Sequence, residues 1–195
     1  RPAPGRSPLN TRPKTIARPE TNALQVTEAA CPSEFIALAQ RLADAAGAAI
    51  RPHFRTPFSG ETKADRSPVT VADRASEKAM RDLIEAHYPD NGIFGEEYGK
   101  VREDADYRWI LDPIDGTKSF ATGLPIFGTL IALVHRNRPI LGVIDQPILG
   151  ERWLGASGQA TRFRQTRGTP AESDAKTRPC PELGLASLFA TTFDR

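Results

Sequence analysis

Cysteine is scarce: Cys31 and Cys180 are the only two in 195 residues, and neither has a neighbour at the spacing of a zinc ligand set or a redox pair. Two thiols in a chain this long suit a reducing compartment, although a disulfide between them stays open. Histidine is equally sparse. His53, His87 and His135 are scattered, none at the spacing of a catalytic dyad, and they read as structural or exposed. No apolar run approaches the roughly 20 residues that cross a bilayer, so a membrane partner is not expected. The 26 basic and 24 acidic residues leave a formal charge of +2, too little to argue for nucleic acid. A phosphate-cradling Walker loop, a zinc-binding helix and a nucleophile elbow are also missing.

The small basic excess sits at the start. Residues 1–33 hold five Arg or Lys against Glu20 and Glu28, a net of +3, which leaves −1 for the remainder. Residues 1–32 are rich in Pro, Arg, Thr and Ala without a hydrophobic period, and read as a disordered tail or an organelle-targeting leader. The compartment is accordingly cytoplasmic, or plastid if the leader is a transit peptide. The chain begins with Arg1 rather than Met, so its true start is missing or processed. Residues 33–195 are long enough for one substantial core and read as one domain.

Ser33 is placed to cap a helix with Glu34 in its first turn, and Phe35, Leu38, Ala39, Leu42, Ala45, Ala46, Ala49 and Ile50 recur at helical spacing. Pro52 should end or kink that helix. Residues 58–67 suit a loop. Thr70 to Asp73 opens a second helix with Ala75, Ala79, Leu83 and Ile84 on one face. Pro89 to Gly92 is a turn, Ile93-Phe94 begins a strand, and residues 100–107 read as a charged connector. Strands follow at 109–111, 127–134, 140–144 and 151–154, the second and third joined by a hairpin at His135 to Pro139. Residues 162–164 make a further strand, 168–181 a loop, and 185–193 a final strand. Short turns between strands imply an α+β fold, an antiparallel sheet packed by two helices.

The stretch with most chemistry is Asp112-Pro113-Ile114-Asp115-Gly116-Thr117, directly after the apolar run Trp109-Ile110-Leu111. Pro113 pushes Asp112 toward extended backbone, and Gly116 permits close approach. Two acids on a rigid turn repel unless a cation lies between them, and oxygen ligands suit Mg²⁺. A plain surface turn is the competing reading. Glu96, after Ile93-Phe94-Gly95, can supply a third carboxylate from a neighbouring strand end; Glu97 reads as its solvated neighbour. Asp73 reads equally as the far end of a Thr-x-x-Asp capping box and as a functional acid. A short helix at 118–122 would offer amides to a phosphate, together with that of Gly116.

Gly95-Glu96-Glu97 followed by Trp109 to Thr117 resembles the signature of the inositol monophosphatase superfamily of Mg²⁺-dependent, lithium-sensitive phosphatases. The segments Ser67 to Asp73, Gly123 to Leu133 and Gly142 to Trp153 are most similar to its histidinol-phosphate phosphatase branch. The likeness runs over residues 34–193. It implies a Mg²⁺ held by Glu96, Asp112 and the carbonyl of Ile114, and a second begun by Asp112 and Asp115. It implies that Thr117, with Asp73 or Glu96, orients the attacking water, that Gly116, Thr117 and Asp115 meet the substrate, and that Lys63 lies near a metal. It implies a small phosphate monoester as substrate, histidinol phosphate or an inositol phosphate, and a homodimer for the full-length protein. A second α/β half follows in the superfamily, carrying another metal-ligating aspartate. This chain resembles the first half only, which raises the alternative of a non-catalytic metal-binding chain with an apolar face left open.

Overall fold

The first helix, α1 (Ser33–Ile50), buries Phe35, Leu38, Ala39, Leu42, Ala43, Ala46, Gly47 and Ile50. That stripe is nearly the expected one; Ala45 and Ala49 are only half-buried, and Ala43 and Gly47 take the deeper places. The computed structural model describes residues 30–56, 71–169 and 171–175. Pro32, not Ser33, is the N-cap, and no side chain caps the helix. Its carbonyl accepts from the amides of Phe35 and Ile36 at 3.2 and 3.4 Å, while the Cys31 amide donates to Ser157 O at 3.0 Å. The entry is thus fixed by the sheet rather than by a serine. At the far end Pro52 stops the helix, which closes in one 3₁₀ turn, Arg51–His53.

The second helix, α2 (Val71–His87), turns a different face inward from the one its apolar residues suggest. Ala72, Asp73, Ser76, Glu77, Met80 and Ile84 are buried, while Ala75, Ala79 and Leu83 are half-exposed. Three polar side chains belong to the buried face, so hydrophobicity alone misplaces it.

Eight strands follow: β1 (Gly92–Gly95), β2 (Gly99–Val101), β3 (Tyr107–Asp115), β4 (Gly128–His135), β5 (Arg138–Gln146), β6 (Glu151–Ala156), β7 (Arg162–Gln165) and β8 (Ala171–Asp174), with helix α3 (Thr117–Ala121) between β3 and β4. They form one sheet in the order β2-β1-β3-β4-β5-β6-β7-β8. The fold is α+β as expected, but the sheet is mixed, because β1 runs parallel to β3. Two stretches expected as connector and loop contain strands: β2 lies in the charged segment after Glu97, and β8 follows Gly168. Both are edge strands, short and polar, with no apolar alternation to announce them. The β4–β5 hairpin turns at Arg136 and Asn137, both at positive φ, as a two-residue turn that matches the twist of its strands.

Helices α1 and α2 pack on each other and cover one face of the sheet, α1 over β4 and β5, α2 over β3. Phe35 fills the seam, its ring centroid 4.8 Å from Tyr88, 4.9 Å from Tyr107 and 6.1 Å from Trp109. Among the described residues no helix covers the other face. Ile110 and Ile144 are 43% and 50% exposed there, beside half-buried Phe94, Leu130, Trp153 and Phe163. Among the described residues no helix is long and apolar enough to cross a membrane.

Candidate active site

Parallel pairing builds the site. Gly95 lies opposite Leu111, so the residues that leave β1 and continue β3 come out side by side, Glu96 next to Asp112. In an antiparallel arrangement the two ends would point in opposite directions.

The Asp-Pro-Ile-Asp segment is not the turn that its composition allows. Strand β3 runs through it to Asp115, with a bulge: Asp112 faces Leu130 and Asp115 faces Gly128, so one residue is extra. Pro113 offers no amide to the ladder, which makes the irregularity there local and cheap. Its carbonyl instead accepts the buried hydroxyl of Thr129 at 2.8 Å. Pro113 and Ile114 are buried, Asp112 is half-buried and Asp115 exposed. Gly116 then takes φ +95, a left-handed conformation that glycine adopts freely, and caps α3. Its carbonyl accepts the amides of Ser119 and Phe120 at 2.8 and 3.1 Å, and the Thr117 hydroxyl donates to Ile114 O at 3.1 Å.

The carboxylates act on one another strongly. Asp112 is pushed up to about 7, first by burial, then by the charges of Glu96 and Asp115, by a hydrogen bond with Glu96, and by Asp73. Its Oδ1 is buried without a hydrogen-bond partner. Glu97 is also raised, by burial first, then by Asp73 and Glu96, with Arg74 opposing. It is not a solvated neighbour: its side chain is 9% exposed and its carboxylate stands 3.7 Å from Arg74, whereas Glu96 is the exposed one. Asp73 is buried at 4% exposure. Among the described residues no three acidic, histidine or cysteine side chains converge closely enough to hold an ion as they stand. The donor set nevertheless suits a hard cation. It is all oxygen, it is crowded with like charge, and the orphaned Asp112 Oδ1 lacks the positive partner that would relieve it.

Glu77 was not foreseen from the sequence, although it follows Asp73 by one helical turn, which puts both on the same face of α2. It is fully buried and accepts from the amides of Glu97 and Tyr98. Asp145 and Arg152, which lie in one of the distinguishing segments, face each other across β5 and β6 as a buried ion pair at 2.7 Å. Arg152 also reaches Asp44 at 2.8 Å and Gln40 O at 3.2 Å, so this pair ties α1 to the sheet. Two of the histidines have structural roles: His87 donates from Nδ1 to Leu83 O at 2.8 Å and accepts at Nε2 from Arg41 at 3.0 Å, and His135 stacks on Tyr107 at 4.3 Å. Lys63, Thr70, Cys180 and the strand expected at 185–193 lie outside the described residues.

The pattern that defines the inositol monophosphatase family matches residues 32–192. The chain belongs to that family. Its members are phosphatases. Among curated relatives it is 46% identical over 185 residues to the chloroplastic bifunctional phosphatase IMPL2 of Arabidopsis thaliana, covering 94% of this chain and 51% of that one. It is 40% identical over 139 residues to a histidinol-phosphatase of Chlorobaculum parvum, covering 71% and 52%. Among solved structures, an inositol monophosphatase from Zymomonas mobilis superposes with a TM-score of 0.64 at 50% identity, over 76% of this chain and 55% of that one. The chain spans about half the length of the relatives it matches.

Proposed function

We propose that this chain carries the metal-binding half of a Mg²⁺-dependent phosphomonoesterase that hydrolyses histidinol phosphate to histidinol and phosphate. The observation that carries the reading is the meeting of Glu96 with the Asp112–Asp115 bulge, an acidic cleft whose charge calls for a cation. Likeness to a histidinol-phosphatase supports the substrate, as do the Asp145-Gln146-Pro147 and Glu151-Arg152-Trp153 segments. Glu96, Asp112 and the Ile114 carbonyl would hold one Mg²⁺, and Asp112 with Asp115 would begin a second site. When bound, Mg²⁺ supplies charge neutralisation on the phosphate and acidifies water near it.

The chain's own residues orient the reactants. The Thr117 hydroxyl spends its proton on Ile114 O, so its oxygen serves as the acceptor for a water proton, supported by Asp73 or Glu96. Water attacks phosphorus directly, the ester P–O bond breaks, and the departing alcohol takes up a proton. The backbone at Gly116 and Thr117 receives phosphate oxygens at the open first turn of α3. The compartment that best suits the reading is a plastid, in keeping with the Arg-rich, acid-poor residues 1–32 and the chloroplastic relative.

Phosphate release from histidinol phosphate and from inositol 1-phosphate, each with Mg²⁺ and with EDTA, tests this. A preference of about ten-fold or more for histidinol phosphate is the expected outcome. The reverse preference would install inositol phosphate, which the likeness to the Zymomonas enzyme favours as second reading. Mg²⁺ binding without turnover of either would leave a non-catalytic metal-binding chain.

A further inference from the structure

The Glu96–Glu97 turn joins β1 to β2 at the sheet edge, yet one buried side chain from α2 reaches Gly95, Glu97 and Tyr98 within it. Glu77 has no exposed surface. Its Oε2 accepts the Glu97 amide at 2.7 Å, and its Oε1 accepts the Tyr98 amide at 3.2 Å and Arg81 Nε at 2.7 Å. On the near side the carboxylate lies against Gly95 so closely that a Cβ there would stand 1.8 Å from Oε1. Arg81, itself only 12% exposed, donates its other nitrogen to Gly99 O. The Glu77–Arg81 pair therefore grips Gly95, Glu97, Tyr98 and Gly99. Glu96 is the one residue of the turn left to project.

We infer that Glu77 is a positioning residue: gripping the turn from beneath, it presents Glu96 to Asp112 and so sets the affinity of the acidic cleft for divalent cation. Both of its oxygens are occupied by amide and guanidinium donors, so it acts through Glu96 and not as a ligand. Gly95 belongs to the same device, because only a residue without Cβ admits the carboxylate. Isolated buried carboxylates are costly to desolvate. This one is compensated by three donors, two of them from the turn that carries a proposed ligand. The inference rests on the proposed Mg²⁺ site and concerns how that site is held in shape.

The test uses the 195-residue chain, with Mg²⁺ titrated calorimetrically and thermal unfolding followed in EDTA. Glu77→Gln keeps the shape but sets a donor where one turn amide needs an acceptor. It should weaken Mg²⁺ binding about ten-fold or more, the usual cost of disturbing a group that orients a ligand, and it should also lower the melting temperature. Glu77→Gln with Arg81→Leu removes the stranded cation; it should regain most of the melting temperature without regaining Mg²⁺ affinity. Gly95→Ala, which alters no charge, should weaken Mg²⁺ binding by displacing the carboxylate, and decides the matter if Glu77→Gln does not fold. Wild-type affinity in the folded variants, with only the melting temperature reduced, would make Glu77 a stabilising residue alone and overturn the inference while the Mg²⁺ site stands. No Mg²⁺ binding by the wild-type chain would overturn the site and the inference together.

Discussion

Burial and neighbouring carboxylates act in the same direction on Asp112, which is why its carboxyl rises to about 7. An unfolded aspartate titrates near 3.9. Between about pH 4 and pH 7 the folded protein therefore holds a proton that the unfolded chain releases, and the metal-free protein should lose stability as pH rises through that window. Melting temperatures in EDTA from pH 4 to 8 should fall for the wild type, and Asp112→Asn should flatten that slope. Added Mg²⁺ at pH 8 should raise the wild-type melting temperature and leave Asp112→Asn nearly unmoved. An identical slope in both proteins would show that Asp112 is not the group responsible. Asp115 is exposed and contributes charge rather than packing. Asp115→Asn should accordingly lower Mg²⁺-dependent phosphate release by about ten-fold or more, while the melting temperature in EDTA does not fall and rises slightly as the repulsion on Asp112 is relieved; undiminished release would strike Asp115 from the site.

Among the elements, α1 and the β5–β6 hairpin depend on each other through Arg152. Its guanidinium is buried between Asp145, Asp44 and the Gln40 carbonyl. Arg152→Met would strand Asp145, 2% exposed, without its cation. Breaking a buried pair from one side costs about 3–5 kcal/mol. Urea unfolding should register that loss, and Arg152→Met combined with Asp145→Asn should recover much of it. If the single and double variants were equally unstable, packing rather than stranded charge would be the cause. The bulge in β3 is a second dependence between elements: Thr129 of β4 holds the Pro113 carbonyl. Thr129→Val keeps the shape and removes that bond, about 1 kcal/mol in the same assay.

For the whole molecule, the two faces of the sheet differ sharply. One is closed by α1 and α2; on the other, among the described residues, Ile110 and Ile144 stand exposed amid Phe94, Leu130, Trp153 and Phe163. An apolar face of this kind limits solubility. Ile144→Lys, at the middle of that face and far from the helical core, should raise the concentration at which the chain stays in solution, with melting temperature unchanged. Light scattering against concentration would measure it, and no gain would mean that the face is not what limits solubility.

Much of this could be read locally. The period of α1, the stop at Pro52, the apolar strands β3 to β6 and the clustering of acids around residue 112 all follow from backbone preference and pattern within a few residues. The Asp112–Thr117 and Gly95–Glu97 motifs were legible for the same reason, since each is contiguous in the chain. Only the tertiary structure decided that β1 lies parallel to β3, that the Asp-Pro-Ile-Asp segment bulges within a strand, and that α2 turns Asp73, Ser76 and Glu77 inward. The physical reason is that charges and hydrogen bonds act through space and local dielectric, not along the chain. The α2 acids Asp73 and Glu77 lie well separated in the sequence from Glu96 and Asp112, and the energies of all four become defined only when folding brings them together out of water.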